Sequence, residues 1–504
     1  MARIAVLLSA VCCLASARER PPVPKPPGSV EVTLEARVPA LAVETVNFGV
    51  PLPPGFLRDA RLVRVLDGRG AEIEAAVRAL EPWRIDGKDG AIRSVQIQFR
   101  AGFQSAQTQR VKIVFGKART RNLDRFVPVV DTLVDPDGRK GPKVLAVLPA
   151  KWLCDSWIAG PQVPAVESGE QAYYDRWAEK NFPGSVAFIA SPVFDHWLFD
   201  RTTCWYKMYI RTGERKYLEA AYEAAHFVRL NTQQDGPAAG MFLVKKGPPD
   251  LKYVYPRAMH LHYLLTGEER ARDLGKLMAK LLLDRWDPVY NRGFWTPRHE
   301  GYGFLGVLHG WELTGEPAYW QQAARYADAL YAHQRQPPDG RPADGSFRQN
   351  WEQYDAHEAK FQGATSAWMM AILLDPMFHY WTLTGDARIP EMVTKWCDFL
   401  DRQGLQPDGR SAWYVINCFA SEPGELPSTV NGDMTRHNTE MSYEFAMGVY
   451  FQPDPARQKV YRQRIQTLFA ALQDKDLNRT PRAFNWAFQA SSQLVYFLQH
   501  PARK

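Results

Sequence analysis

Hydrophobic and polar positions alternate along the first third of the chain, from about residue 29 onward. Val30, Val32 and Leu34 are separated by glutamate and threonine residues, which is the two-residue period of a half-buried strand. The same period recurs in three later segments, 61–67, 94–100 and 110–115. We therefore predict that residues 29–120 form an antiparallel β-barrel or sandwich of about six to eight strands.

The period changes to that of helices from about residue 185, where one short motif recurs. Each copy joins the aromatic or apolar end of a helix to a threonine, a glycine and an acidic residue: Tyr209–Glu214, Tyr263–Glu268, Trp311–Glu316 and Trp381–Asp386. Glycine suits the left-handed residue that ends a helix, and the acidic residue suits the first turn of the next helix. The motif therefore predicts a tight turn between two helices.

The spacing of these turns indicates how many helical hairpins the chain holds. About 50 residues per unit accommodate two helices of roughly 15 residues and their connections. A fifth turn is expected near Gln452–Pro455 and a last helix at about 484–499. We predict that residues 185–504 form an (α/α) toroid of about six hairpins, with a HEAT-like or TPR-like solenoid of shorter and more uniform repeats as the alternative.

The start of the chain has the features of a secretory signal peptide. Arg3 precedes an apolar run that ends in Ala15–Ala17, the small residues that signal peptidase accepts, so residues 1–17 are expected to be removed. A proline-rich linker, 18–28, and a connecting segment, 121–184, complete the domain plan. No later stretch has the roughly 18 apolar residues of a membrane helix. We therefore predict a secreted or periplasmic protein without membrane insertion.

Composition narrows the possible ligands and reactions. The 504 residues carry a net charge of +7, which favours an anionic ligand, and no nucleic-acid-binding motif occurs. The motifs of serine esterases, nucleotide-binding loops, zinc proteases and EF-hands are also missing. We predict no cofactor and no metal site, and leave open a divalent cation such as calcium held by loop carboxylates. The cysteines after the signal peptide lack the spacing of thiolate metal sites and are expected to be buried thiols or one or two disulfides: Cys154, Cys204, Cys397 and Cys418.

The short motif turns all lie at one end of the predicted toroid. The long connections between helices therefore lie at the opposite end. We call these ends the turn end and the loop end. The long connections are rich in aromatic and ionisable residues: 231–255, 284–302, 333–364 and 401–437. Since functional side chains concentrate on loops held by a rigid scaffold, we expect the active site at the loop end.

Arginines recur where helices start at the loop end, after a proline or beside a histidine: Pro256-Arg257, Pro297-Arg298, Arg436-His437 and Pro481-Arg482. Helix N-termini and guanidinium groups both attract carboxylates and sulfates, so an acidic polysaccharide or oligosaccharide is the expected partner. Nearby tryptophans offer flat faces for sugar rings. The predicted substrate-binding residues are His196, Arg201, Arg257, Trp295, Arg298, His299 and Arg436.

Two clusters of ionisable residues are candidates for catalysis, one at 354–360 and one at 436–440. β-Elimination from a uronic acid requires a neutralised carboxylate, a base for the C5 proton and an acid for the leaving oxygen. Arg298 and Arg436 would bind the carboxylate with help from Asn438. His437 or His357 would act as the base and Tyr354 as the acid. The predicted catalytic residues are Glu300, Tyr354, His357, His437, Asn438 and Glu440.

Two other functions remain open from the residues alone. A glycoside hydrolase would use a carboxylate pair from Glu300, Asp355 and Glu440, about 5 to 5.5 Å apart for retention or 6.5 to 9.5 Å for inversion. A carbohydrate-binding toroid would hold the same ligand without forming products.

The segment Val46–Gly55, followed by Arg61–Asp67, resembles the N-terminal β-barrel of exo-type rhamnogalacturonan lyases. The helical part looks like the toroid of the same group and, more generally, of six-hairpin glycosidases and toroid polysaccharide lyases. This resemblance implies secreted breakdown of a plant or microbial polysaccharide. Together with the residue pattern, it predicts a polysaccharide lyase that acts on a uronate-containing glycan.

Overall fold

The structure is a computed structural model of the whole chain. Its described residues are 19–37, 43–103, 108–244, 249–291, 293–350, 364–418, 434–473 and 481–502. The predicted signal peptide lies outside the described residues.

The N-terminal part consists of antiparallel strands in two sheets. The strands are β1 (Ser29–Ala36), β2 (Glu44–Pro51), β3 (Val63–Leu66), β4 (Glu72–Ile73), β5 (Ala75–Ile85), β6 (Lys88–Ala101), β7 (Thr108–Phe115) and β8 (Val144–Val147). One sheet has the order β4-β3-β7-β1-β8 and the other β2-β6-β5. Alternate residues of both, such as Val32 and Phe48, are buried in one core, as the two-residue period predicts.

A closed barrel, one of the two forms predicted for residues 29–120, is not what the described strands form, because no described pairing joins the two sheets. The sandwich also extends beyond the predicted segment. Strand β8 pairs with β1, with Leu34 opposite Ala146, and it comes from the stretch predicted as a connection. The sequence around β8 carries no distinct signal, since four apolar residues fit a buried strand or a helix equally well.

Fourteen α-helices occupy the described part of the rest of the chain. They are α1 (Ala150–Asp155), α2 (Ala172–Val186), α3 (Arg201–Thr212), α4 (Arg215–Leu230), α5 (Pro256–Thr266), α6 (Glu269–Arg285), α7 (Pro297–Thr314), α8 (Pro317–Arg335), α9 (Ala367–Thr384), α10 (Arg388–Phe399), α11 (Asn438–Phe451), α12 (Pro455–Leu472), α13 (Pro481–Gln489) and α14 (Leu494–Gln499). Two short strands, β9 (Ala364–Thr365) and β10 (Ile416–Asn417), pair near the start of α9.

Alternate helices build an inner ring. Helices α3, α5, α7, α9, α11 and α13 each contact the next one, and α13 contacts α3, which closes the ring. The inner helices α7 and α11 are buried along almost their whole length. Outside them pack α2, α4, α6, α8, α10 and α12, whose apolar stripes face inward and whose other faces meet water. This arrangement agrees with the predicted toroid of about six hairpins.

The four motif turns have one local structure. Each glycine ends its helix in the left-handed region, with φ between 67° and 71°. The threonine before it makes two hydrogen bonds: in the second copy, Thr266 Oγ1 donates to the carbonyl of His262 at 2.7 Å and accepts from the N–H of Glu268 at 3.0 Å. The threonine therefore joins the end of one helix to the start of the next, which explains its place in the motif.

The three-stranded sheet covers the turn end of the toroid. Asn47 Nδ2 donates to the carbonyl of Thr266 at 2.8 Å, and Ser94 Oγ donates to that of Leu264 at 2.6 Å. A Cβ atom at Gly267 would clash with the side chain of Gln96. The sandwich thus closes this end, and the loop end is left for a ligand.

Neither a disulfide nor a membrane-crossing helix occurs in the described residues. The cysteines at positions 154, 204, 397 and 418 are buried free thiols, as one of the two sequence interpretations predicts. None of the described helices is both long enough and apolar enough to cross a bilayer.

Candidate active site

The depth of a residue within the toroid can be measured by counting back to the turn glycine of its helix. Because an α-helix rises about 1.5 Å per residue, residues at equal distance before their turn glycine lie at equal depth. Arg298 and Trp368 each stand seventeen residues before their glycines, and the arginine Cζ is 5.5 Å from the centroid of the indole. Arg257 and Asp375 each stand ten residues before theirs, and form an ion pair at 2.6 Å. The inner ring therefore carries two layers of functional side chains, one at the loop end and one deeper along the axis.

The outer layer surrounds a pocket of about 230 Å³, which we call the rim pocket. Four cationic side chains line it: Lys252, Arg298, Arg436 and Arg482. Four aromatic side chains form its walls: Tyr253, Trp368, Tyr414 and Trp486. Of the described residues that line it, Asp195 alone is a carboxylate. The pocket is therefore positively charged and aromatic, which suits an anionic sugar.

Aromatic rings hold the arginines of the rim pocket in place. Arg482 Cζ lies 4.6 Å and Arg436 Cζ 5.5 Å from the centroid of Trp486. Arg482 also pairs with Asp195 at 3.1 Å. Since guanidinium groups bind carboxylates in a fork, three of them in one pocket suit carboxylate recognition.

His437 and Glu440 form a buried pair at the wall of the rim pocket. His437 Nδ1 is 3.0 Å from Glu440 Oε1, and Thr439 Oγ1 donates to the other oxygen of Glu440 at 2.8 Å. The imidazole packs against Trp368 and Trp486, at centroid distances of 5.3 and 4.5 Å. This contact network fixes the orientation of the ring.

The environment of His437 favours a neutral ring with a free lone pair. Burial lowers the pKa of His437, and the Glu440 carboxylate only partly offsets this effect. With Nδ1–H directed at Glu440, the lone pair is on Nε2, which has no hydrogen-bond partner among the described residues. A base oriented by a carboxylate is the arrangement that proton abstraction requires.

A second chain of contacts supports Lys252. Its ammonium group lies 2.9 Å from Asp250, and Asp250 lies 3.1 Å from His299 Nε2. His299 Nδ1 in turn lies 2.9 Å from Thr296 Oγ1. Although burial alone would raise the pKa of Asp250, the hydrogen bond from His299 and the charges of His299 and Lys252 hold it below its usual value. His299 therefore supports the pocket from behind.

Tyr253 brings a hydroxyl group to the rim pocket. Its Oη donates to Asp195 Oδ1 at 3.2 Å. Burial, followed by the nearby Asp195 charge, raises the pKa of Tyr253. The phenol therefore keeps its proton at neutral pH and can donate it to a leaving oxygen.

Three predicted substrate-binding residues lie away from the rim pocket. Arg201 stacks over Trp205 with its Cζ at 4.8 Å from the centroid, and donates to the carbonyl of Ser185. Trp295 is buried against His333, and Arg257 belongs to the deeper layer. Their side chains are used in packing and internal pairing.

His196 stays near the loop end but does not line the pocket. Its Nδ1 lies 2.8 Å from Ser191 Oγ, and its ring packs against Phe188.

Of the predicted catalytic residues too, some lie at the rim pocket and others away from it. Glu300 accepts from Trp286 Nε1 at 2.7 Å, and burial raises the pKa of its carboxyl group. Asn438 Nδ2 donates to the carbonyls of Arg410 and Leu468, at 2.8 and 2.9 Å, so the amide faces the outer wall. The structure thus brings His437 and Glu440 to the pocket, but not Glu300 or Asn438.

Tyr354 and His357 lie outside the described residues.

The deeper layer is a set of buried charges that we call the axial network. Two ion pairs cross it, Arg93–Glu312 at 2.7 Å and Arg257–Asp375 at 2.6 Å, and His260 Nε2 lies 2.7 Å from Glu81 Oε2. His309 lies between them, 2.9 Å from His260 and 3.1 Å from Glu312. The enclosed cavity at this level holds about 40 Å³. Since Arg93 and Glu81 belong to the sandwich, this network joins the sandwich to the toroid.

Sequence reasoning missed several residues of the rim pocket as site residues: Asp195, Lys252, Tyr253, Trp368, Tyr414, Arg482 and Trp486. Two of them carried a usable signal. Arg482 belongs to the proline-arginine pattern, and Trp368 matches Arg298 in its distance to the turn glycine. Trp486 lies on α13, and the other four come from loops, whose approach to the ring has no period in the sequence.

No protein-family model and no curated protein matches the sequence, so the resemblance of the N-terminal segment to rhamnogalacturonan lyases stays a prediction. Among solved structures, the chain is similar to an unsaturated glucuronyl hydrolase from Bacillus sp. GL1, at 15% identity and a TM-score of 0.43, over 64% of this chain and 97% of that one.

Two other solved structures show a similar degree of likeness. One is a polysaccharide lyase, at 14% identity and a TM-score of 0.42, over 63% of this chain and 99% of that one. Another is an α-1,6-mannanase of Salegentibacter sp. HEL1_6, at 11% identity and a TM-score of 0.44, over 65% and 99%. All three are named for carbohydrate substrates, but at such scores none of them decides the function of this chain.

Proposed function

We propose that this chain is a polysaccharide lyase that cleaves a uronate-containing glycan by β-elimination in the rim pocket. The observation that carries the proposal is the rim pocket itself, where three arginines and a lysine surround an aromatic wall that includes a carboxylate-oriented histidine. Cations recognise the uronate, tryptophans stack on sugar rings and the histidine is available as a base.

The proposed reaction uses five side chains. Arg298 and Arg436 bind the uronate carboxylate and stabilise the negative charge that develops on it as the C5 proton leaves. His437 Nε2 accepts that proton, and Glu440 stabilises the imidazolium that forms. The C4–O bond breaks as the C4=C5 double bond forms, and the Tyr253 hydroxyl protonates the departing oxygen.

The described carboxylates favour elimination over hydrolysis; Asp355, the third predicted member of a hydrolase pair, lies outside the described residues. Hydrolysis by the usual route needs two carboxyl groups across the scissile bond. Among the described residues of the pocket wall, Asp195 is the one carboxylate, and it is already paired with Arg482. Glu440 is occupied by His437 and Thr439, and Glu300 by Trp286.

We further propose that the enzyme is exported, as the predicted signal peptide 1–17 indicates, and meets acidic polysaccharides or their fragments outside the cytoplasm.

A product assay tests the reaction directly. The purified chain would be incubated with pectic, alginate, ulvan and glycosaminoglycan substrates, while the ultraviolet absorbance of the unsaturated uronate product is followed. We expect the absorbance to rise with at least one of them. His437→Gln should lower the rate by about 10²- to 10⁴-fold, the usual contribution of a general base. The matched control His196→Gln, at the same end but bonded to Ser191, should retain full activity.

The other outcomes are equally clear. New reducing ends without absorbance would overturn elimination and favour a hydrolase. Binding without either signal would indicate a non-catalytic carbohydrate-binding protein. Equal activity of His437→Gln and the wild type would remove the histidine from the mechanism.

A further inference from the structure

Two histidines and a glutamate meet in a buried cluster near the turn end, between α4 and α5. His226 comes from α4, His262 from α5, and Glu268 directly follows the turn glycine Gly267. Glu268 Oε2 lies 3.0 Å from His262 Nε2 and 3.6 Å from His226 Nε2, and the three atoms all lie within 4.8 Å of one another. We call this group the His226 cluster. It is separate from the rim pocket and from the axial network.

His226 is the unusual member of the cluster. Its residue is 1% exposed, yet neither ring nitrogen has a hydrogen-bond partner among the described residues. Buried polar atoms are nearly always paired, so an imidazole with two unpaired nitrogens calls for an explanation. Its Nε2 faces Glu268 Oε2 across 3.6 Å, too far for a hydrogen bond.

The spacing of the three atoms fits ligands of one metal ion. In a tetrahedral zinc site with bonds of about 2.0 to 2.1 Å, neighbouring ligand atoms lie about 3.3 Å apart. The distances of 3.0 and 3.6 Å fall on either side of this value. Two histidines and a carboxylate are a ligand set that zinc and related transition metals accept, whereas calcium and magnesium prefer oxygen atoms alone.

The surroundings of the His226 cluster also resemble the second layer of a metal site. Tyr206 Oη lies 2.6 Å from His262 Nδ1, and can accept its proton so that Nε2 keeps its lone pair. Arg270 binds Glu268 Oε1 at 2.7 Å through Nε and leaves Oε2 for the cluster. Partners of this kind orient the ligands of most protein metal sites.

We propose that His226, His262 and Glu268 bind one zinc-class divalent cation with a structural role. Such an ion would supply the partner that His226 lacks.

The position of the His226 cluster indicates what the ion would stabilise. A Cβ atom at Gly138 would clash with the His226 ring, so the segment between β7 and β8 packs directly on the cluster. Arg270 donates to the carbonyl of Pro136 at 3.1 Å, and Arg229 to that of Asp137 at 2.8 Å. An ion there would fasten this connecting segment to the toroid.

The axial network contains a second group with similar spacing, but it is complete without an ion. There His260, His309 and Glu312 lie within reach of one another. Arg257 Nε donates to His309 Nε2 at 3.2 Å, which leaves the proton of the neutral ring on Nδ1. His309 Nδ1 then donates within the group, toward His260 or Glu312, and has no lone pair for a metal. This group provides the matched control.

Metal analysis of the untagged full-length protein tests the proposal. The chain would be treated with EDTA, dialysed, supplied with zinc alone and analysed for bound metal. We expect about one zinc ion per chain. His226→Gln and Glu268→Gln should lose this ion, and His309→Gln should retain it. Tyr206→Phe should weaken zinc binding by about tenfold, the lower limit for losing an orienting partner.

Two measurements on the wild-type chain alone guard against variants that do not fold. Zinc added back after EDTA should raise Tm and slow proteolysis after Arg139, and calcium should do neither. Failure of the wild type to take up zinc would overturn the proposal. Equal zinc content in His226→Gln, or loss of zinc only in His309→Gln, would also overturn it. Metal content is measured without substrate, so the result is independent of the proposed reaction.

Discussion

The rim pocket and the axial network lie on the same inner helices, but they differ in how their cationic and acidic side chains are paired. On α7, Arg298 belongs to the pocket and Glu312 to the network, about 21 Å apart along the helix. The pocket has four cations and one carboxylate among its described lining residues. In the network each buried carboxylate has a cationic or histidine partner. The mainly cationic lining at the loop end suits an anionic ligand, and the paired charges along the axis suit a permanent contact.

The difference follows from what covers each layer. Removing one partner from a buried ion pair is costly because the other charge remains in a medium of low dielectric constant. Water and ligands can compensate cations in an open pocket. Position along the helix therefore separates residues that bind a substrate from residues that hold the fold.

Breaking the axial network should give the largest effect. Glu312→Gln leaves Arg93 buried without its counter-charge, and we expect a loss of about 3 to 5 kcal/mol in the free energy of unfolding. Urea denaturation followed by fluorescence measures it. Asp284→Asn is the control, because Asp284 pairs with Lys280 on the exposed face of α6, where such a pair contributes about 0.5 kcal/mol or less. Similar losses in both variants would show that the network has no special role.

Arg257 and Arg298 each follow the first proline of a helix, but substitutions of the two should have different effects. Arg298→Gln should raise KM by about 10- to 100-fold, since a charge-assisted contact to a carboxylate contributes roughly 1.5 to 3 kcal/mol, while stability changes little. Arg257→Gln should lower Tm and leave KM unchanged, because its partner Asp375 is part of the fold. Kinetics and thermal denaturation of both variants check this. A change in KM for Arg257→Gln alone would reverse the assignment of the two layers.

The smallest effect concerns pH. Because burial lowers the pKa of His437, the neutral form needed as base should persist below pH 6.5, the ordinary value for histidine. Activity should therefore fall only as the pH drops through that lowered pKa. Glu440→Gln removes a charge that favours the imidazolium, so the acidic limb should move to still lower pH and kcat should fall by about tenfold.

A pH–rate profile of both proteins measures the shift. An acidic limb that moves to higher pH in Glu440→Gln would contradict the role of this carboxylate.

The turns and the buried strand faces could be predicted from the sequence because each depends on a local pattern of residues. The motif glycines predict the turns because a left-handed helix end strongly prefers glycine, and Gly213, Gly267, Gly315 and Gly385 all have positive φ. The two-residue period likewise predicts the buried faces of β1 and β7. Each of these features depends on a few neighbouring residues.

The depth of the arginines and the contacts between distant segments were not predicted from the sequence. Arg257 and Arg298 follow proline in the same way, but α5 has 11 residues and α7 has 18, so Arg257 starts about 10 Å deeper. Counting back from the turn glycine would have separated them. In contrast, no local pattern in the sequence predicts that Asn47 donates a hydrogen bond to Thr266, or that Lys252 reaches the rim pocket from a loop.

The covered turn end makes the sandwich and the toroid energetically inseparable. A toroid cut free of the sandwich would expose the carbonyls of Leu264 and Thr266 and leave Glu312 without Arg93. We therefore expect the two parts to unfold together, because local unfolding on one side removes counter-charges from the other.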